Sequence, residues 1–450
     1  MFNSIVMNKN TSLIILLSLW SILTQAQENT TRSVSLQEAL NLALKNAKSI
    51  QISNYKTDNA NAKKDMAVNA FLPQISVNAA YSRLSTNIEP FKITIPGVIT
   101  TELNPVIPNQ YANRASIQQN VFSGMRNIYN LQSSKDMMYA SQLDAKKEEE
   151  EILMNTILQY YTFCKTTESA KLIKENLKTV DACIKDIQNF QTVGMALPND
   201  VLKAELSKSN LEITQAEIDN TAAIINYNMN LLLGINEQTQ LSPSPIDIEA
   251  TPTTAFTFNP TYDNRLDWKS FNFKILAAQK QVKSAQSAYF PTVNAGFNFY
   301  YNNPNQRVFP QTAKFKETWD AGISLNWNLS SLYTARASIR DTKINTKIND
   351  LLLAQIQDGI RSEQYSALKN YELSLQKIKM AEKTVEQAKE NQRIMQNRFT
   401  ASVAVFTDLL EADTQLLQSQ INLVNAQYDA KITYYKYIKA SGNLATSIIK

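Results

Sequence analysis

Val193-Gly194-Met195-Ala196-Leu197-Pro198-Asn199-Asp200 closes a run, beginning at Met125, that contains neither glycine nor proline before Gly194. Glycine costs a helix interior about 1 kcal/mol and proline about 3, so one continuous helix is free to form over the run. At ~1.5 Å per residue it would be on the order of 100 Å long, far more than a compact domain needs. Near its end Ile173, Leu177, Val180, Ile184 and Ile187 recur at steps of four and three, the seam of a coiled coil. Gly194 and Pro198 then turn the chain, and Asp200 stands where the first turn of the returning helix favours negative charge. That helix carries Leu211, Ile218 and Ile225 at heptad spacing and stops at Gly234. Taken alone, the stretch fits a long α-hairpin of a tethering or cytoskeletal protein equally well.

Working outward, the same programme is found twice. Ser35-Leu36-Gln37-Glu38 is a capping box that predicts a helix to about Ala70, stopped by Phe71-Leu72-Pro73. The period then changes to two, with Ile75, Val77, Ala79 and Tyr81 opposite Ser76, Asn78 and Ala80. After a proline-rich loop, Ala115, Ile117 and Val121 alternate with Ser116, Gln118 and Asn120 and lead into the long helix. In the second half a helix from about Asn264 stops at Tyr289-Phe290-Pro291. Two alternating stretches follow, Val293 to Tyr301 and Trp319 to Leu329, and then a second long run from Ser331 to Phe399 broken only by Gly359. Asp408, Leu410, Ala412, Tyr435 and Gly442 mirror Asp200, Leu202, Ala204, Tyr227 and Gly234 at a constant offset. The chain is an internal duplication. The expected divisions are a signal at 1–26, a first repeat at 27–234, a linker or equatorial segment at 235–262, and a second repeat at 263–450. Within the repeats, β-hairpins are expected at 73–122 and 291–329, and long helical hairpins at 125–233 and 331–441.

Composition removes several functions. There is no histidine, hence no Ser-His or Cys-His nucleophile and no imidazole ligand. No cofactor or metal site is expected, no phosphate-binding loop occurs, and the chain does not read as an enzyme. The net charge of +5 is spread without a basic block, so nucleic acid is not implied as a partner. Cys164 and Cys183 both fall in the long run, roughly 28 Å apart along a straight helix, too far for a disulfide. Tyr160, Tyr161, Tyr434, Tyr435 and Tyr437 are expected to pack between helices. Lys9, the apolar run Leu13 to Trp20 and Thr24-Gln25-Ala26 form a secretory signal. No transmembrane helix is expected elsewhere, so a membrane-inserted form must use β-strands.

Each of the four expected strands is long enough to cross a bilayer when tilted, with one apolar or aromatic face and one small polar face. Four strands cannot close a barrel, and an open edge in lipid is not tolerated. Eight strands close with a filled interior, whereas three copies would supply twelve and leave a lumen. The expected fold is therefore mainly α with membrane β: long helical hairpins forming an α-barrel, and four strands per chain completing a 12-stranded β-barrel in a homotrimer.

At this point the chain resembles the TolC-like outer-membrane efflux family over nearly its whole length. The resemblance is carried by Ser35-Leu36-Gln37-Glu38-Ala39-Leu40, by the helix-stopping Pro73 and Pro291, and by the duplicated tips with Val193-Gly194-Met195 followed by Asp200. It implies a passive exit duct of a tripartite pump or type I secretion system in the outer membrane of a Gram-negative bacterium. The implied partners are outer-membrane lipid, a periplasmic membrane-fusion adaptor and an inner-membrane transporter. It also implies adaptor docking at Val193, Gly194 and Met195 and at the second tip, where Ala401, Ser402 and Val403 depart from the glycine pattern. Asp200, Asp408 and Glu411 match the acids that narrow the family's pore. The family's basic gate partner falls on Ala404, so that latch is absent or supplied elsewhere, Arg398 being one candidate. For Asp200 and Asp408 simple helix capping is the competing reading. For the whole chain the competing reading is a secreted coiled-coil scaffold or adhesin without a pore.

Overall fold

A computed structural model describes residues 31–448 apart from 86, 90, 98, 105, 245–257, 259 and 402. The expected signal, the middle of the expected linker and the second-tip Ser402 lie outside the described residues. In chain order the elements are β1 (Thr31–Val34), α1 (Leu36–Asn46), α2 (Lys48–Asn69), β2 (Gln74–Arg83), β3 (Phe91–Ile95), β4 (Ile99–Asn104) and β5 (Asn109–Phe122). The first long hairpin follows as α3 (Arg126–Thr192) and α4 (Pro198–Leu233), then β6 (Gln240–Pro243). The second half has α5 (Leu266–Gln286), β7 (Thr292–Asn302), β8 (Lys316–Asn326), α6 (Ser331–Thr400), α7 (Phe406–Ala440) and α8 (Leu444–Ile448). The chain is mostly helical.

These elements form two compact units that cut across the sequence repeats. Among the described residues, one comprises those within 31–47, 150–258 and 366–439; the other comprises those within 48–149, 260–365 and 440–448. The second unit holds an antiparallel sheet in the order β2-β5-β7-β8. Its register places Ile75, Ile117, Phe297 and Ala321 in one row and Val77, Ala115, Phe299 and Trp319 in the next, all on one face. The opposite face carries the rows Ser76, Ser116, Asn298, Asp320 and Asn78, Arg114, Tyr300, Thr318. The apolar face is uncovered: Val77, Trp319 and Ile323 are 78%, 67% and 79% exposed. The polar face is cross-linked within the sheet by Ser76–Ser116 (2.8 Å), Asn120–Asn294 (2.8 Å) and Asn298–Asp320 (2.6 Å).

In the first unit α3 and α4 pair along the expected seam. Ile173, Val180, Ile184 and Ile187 are buried, while Leu177, Leu211, Ile218 and Ile225 are half-buried. Ion pairs Lys208–Asp181 (2.7 Å) and Lys174–Asp219 (3.6 Å) flank it. Tyr160 and Tyr161 are buried, and the Tyr160 hydroxyl donates to the Val34 carbonyl at 3.0 Å. Tyr161 stacks on Tyr435 at 6.0 Å, so these tyrosines do pack between helices. Both cysteines are free thiols; burial pushes Cys164 up to about 12 and Cys183 up to about 11.

Three local expectations need correction. The helix from Ser35 does not run unbroken to Ala70: it ends at Asn46, and Ala47 is extended (ψ 121°) before α2 begins. Neither Ala47 nor Lys48 breaks helices by propensity. The interruption is tertiary, because the Asn46 amide donates to the Leu233 carbonyl at 2.6 Å and so caps the end of α4. The hairpin at 73–122 contains a second small hairpin, β3–β4, in its loop. The segment after Gly234, expected as a linker or equatorial segment, contains a strand, since β6 pairs in parallel with β1.

The duplication is visible in the way both returning helices end. Gly234 (φ 68°) and Gly442 (φ 73°) are left-handed, and a Cβ on either would lie 2.8 Å from Asn46 or Asn264. A glycine without Cβ is the residue that admits both the angle and the approach. Asn46 and Asn264 are separated by the same offset as Pro73 and Pro291.

Candidate functional site: the paired helical tips

The first tip is shaped by how α3 stops. The Met195 amide donates to the Phe190 carbonyl (2.8 Å) and the Gly194 amide to the Gln191 carbonyl (3.0 Å), with Gly194 at φ 77°. This is a Schellman closure, which consumes two of the helix's orphan carbonyls. Pro198 then opens α4 at a position where its missing N–H costs nothing. The Asp200 carboxylate accepts from the Leu197 amide at 3.1 Å, so the capping reading of this acid holds in the structure.

The second tip reaches a similar closure without glycine at the equivalent position. The Val403 amide donates to the Arg398 carbonyl at 2.8 Å, the counterpart of Met195 to Phe190. Asp408 stands in the first turn of α7 and is exposed. Glu411, one turn later, is exposed and accepts from the Gln415 amide at 3.1 Å. Among the described residues no ion pair joins Arg398 to Asp200, Asp408 or Glu411.

The two tips share one core. Val180, Ile184, Ile187, Val201 and Ala204 from the first hairpin are buried together with Phe406 from the second. Phe190 meets Phe399 edge-on at 6.0 Å, and Phe399 meets Phe406 at 6.0 Å. These three aromatics were not singled out from the sequence, although each flanks one of the two turns. Outside this core Val193, Met195 and Leu197 are 67%, 66% and 67% exposed, and Val403 and Val405 are 66% and 63% exposed. Burying such side chains is worth about 1.5–3 kcal/mol each, so a cluster left in water favours a covering partner. A groove of about 580 Å³ lies between α4 and α7, lined by Lys203, Leu206, Asn210, Leu211, Leu410 and Glu411.

A further carboxylate, Asp413, escaped the sequence reading. It lies half-buried on α7, and burial pushes its carboxyl above the ordinary carboxylate range against a hydrogen bond from Gln392. Among the described residues no cluster of three or more metal-ligating side chains occurs, and no helix is long and apolar enough to cross a membrane.

Comparison with known proteins bears on both units. Residues 261–443 match the family model for outer membrane efflux proteins. The outer membrane efflux protein BepC of Brucella suis is 20% identical over 388 residues, 84% of this chain and 79% of that relative. The Campylobacter jejuni CmeC outer membrane channel superposes with a TM-score of 0.75 at 15% identity, covering 93% of this chain and 86% of that one. The Vibrio cholerae outer membrane protein VceC gives a TM-score of 0.74 at 15% identity over 90% of this chain and 96% of that one. Repeat pattern, duplicated tips, fold and relatives agree with that match: residues 261–443 carry the outer membrane efflux protein domain, and the whole chain resembles proteins of that family.

Proposed function

We propose that the protein is a trimeric, passive exit duct of the outer membrane, serving a tripartite efflux pump or type I secretion system. The observation that carries this reading is the two-faced sheet. Among the described residues its edge strands β2 and β8 each have a single neighbour, and its apolar face is exposed. In lipid, unpaired backbone groups cost several kcal/mol each, so both edges call for strands from other copies. Three copies close twelve strands, with the aromatic face towards lipid and the Ser/Asn/Gln face lining water.

At the tips, Val193, Gly194, Met195 and Ser402 are assigned to docking of a periplasmic adaptor that brings an inner-membrane transporter. The exposed apolar cluster at Val193, Met195 and Val403 supports that assignment. Asp200, Asp408 and Glu411 are assigned to the narrowest part of the duct, in three copies each. A ring of carboxylates attracts cations and repels itself unless donors neutralise it.

Single-channel conductance in planar bilayers tests the reading, with wild type beside the triple variant Asp200→Ala/Asp408→Ala/Glu411→Ala. Wild type is expected to give a small, cation-favouring conductance that rises in the variant. Equal conductances would move the constriction away from these acids. Silence from both, with protein verified in the bilayer, would remove the pore.

A further inference from the structure

The β7–β8 connection, residues 303–315, does not simply leave the sheet. Asn305 is 2% exposed, and its amide donates to the Lys316 carbonyl (2.9 Å) and the Thr318 hydroxyl (3.2 Å). Its side-chain oxygen accepts from the Arg307 amide at 2.9 Å, which turns the loop back. The Arg307 guanidinium then pairs with Asp320 at 2.7 Å and lies over the Tyr300 ring at 4.3 Å. By register Thr318, Asp320 and Tyr300 all belong to the polar face. On the same face Arg114 donates to Asn298 (2.7 and 3.1 Å), and Asn298 donates to Asp320. The loop is thus fastened across the polar face at the strand ends away from the helices.

We propose that residues 303–315 form a strap, held by Arg307, that narrows the outer mouth of the lumen independently of the acidic tips. The proposal rests on the duct reading, which makes the polar face the wall of the channel. Arg307 and Asp320 are half-exposed, and ion pairs of that kind hold weakly. A weak fastening suits a segment that must yield to outgoing cargo, and the stacked Tyr300 ring and the buried Asn305 give it a defined seat. Residues 303–307 are that seat, and Arg307 supplies its charged contact with the wall.

The test reads access to a position deeper in the lumen. Ser324 is exposed on the polar face, four residues beyond Asp320, about 13 Å along the strand. In whole cells, Ser324→Cys is exposed to a small, uncharged, membrane-impermeant maleimide, with the chain lacking the added cysteine as blank. An uncharged reagent is insensitive to the field of the arginine itself. Labelling is expected to be about fivefold faster with Arg307→Gln, the range open to an exposed ion pair, and to slow again in the charge swap Arg307→Asp/Asp320→Arg. Equal labelling rates in all three would overturn the strap while leaving the duct. No labelling in any intact cell, with full labelling after denaturation, would remove the water-filled lumen and the strap with it.

Discussion

Gly194, Gly234 and Gly442 share a positive φ, but their surroundings separate their roles. Around Gly194 a Cβ would meet nothing within 4 Å, so only the backbone angle requires glycine there. At Gly442 a Cβ would meet the Asn264 backbone at 2.8 Å, and backbone cannot step aside as a side chain can. Gly194→Ala is therefore expected to cost about 1 kcal/mol, the left-handed penalty alone. Gly442→Ala is expected to add about 1–3 kcal/mol of overpacking to that penalty. Thermal unfolding of the detergent-solubilised protein, followed by helix circular dichroism, checks the difference; equal melting would mean that Asn264 relaxes freely. The open space at Gly194 also leaves room for another backbone to approach the tip, which suits a docking surface.

At the scale of elements, the two hairpins are joined at their tips by side chains that neither hairpin could bury alone. Phe406 is 5% exposed in the shared core, whereas Val193, at the turn of the first tip, is 67% exposed. Phe406→Ala is expected to cost about 3 kcal/mol and to loosen both hairpin ends together. Hydrogen exchange should accelerate over the first turns of α4 and α7 in the same variant. Val193→Ser should leave stability within about 0.5 kcal/mol, as exposed substitutions do. Faster exchange in only one of the two helices would refute the shared core. The comparison separates the residues that build the tip from those the tip offers.

Under the proposed duct reading, the whole molecule is incomplete as a single chain. Among the described residues its sheet ends in strands of ten and eleven residues with one free edge each, and its apolar strand face is open. Closure through copies predicts that detergent-extracted protein is trimeric, which light scattering of the protein component reads directly. A monomer at all concentrations would contradict closure by strand pairing. The formal charge gives no competing route to association through a basic patch, since the surplus of five positive charges is dispersed along the chain.

Local chemistry determined a great deal of this protein. Alternation of side chains set which strand face is apolar, because the period of a strand admits only one answer once Ile75, Val77 and Tyr81 are in place. Absence of glycine and proline left the first long helix free to form, the second runs on through its single Gly359, and Gly194 with Pro198 determined where the first one turns. The repeat made the second half readable from the first. What remained hidden depends on partners far apart in sequence. The break at Ala47 exists because Asn46 caps a helix ending at Leu233, and no propensity at Ala47 announces it. The parallel pairing of β1 with β6 needs strands too short to register as periodic. The joint core of the tips and the seat of Arg307 on Asp320 and Tyr300 likewise arise only when tertiary packing brings separate segments into contact.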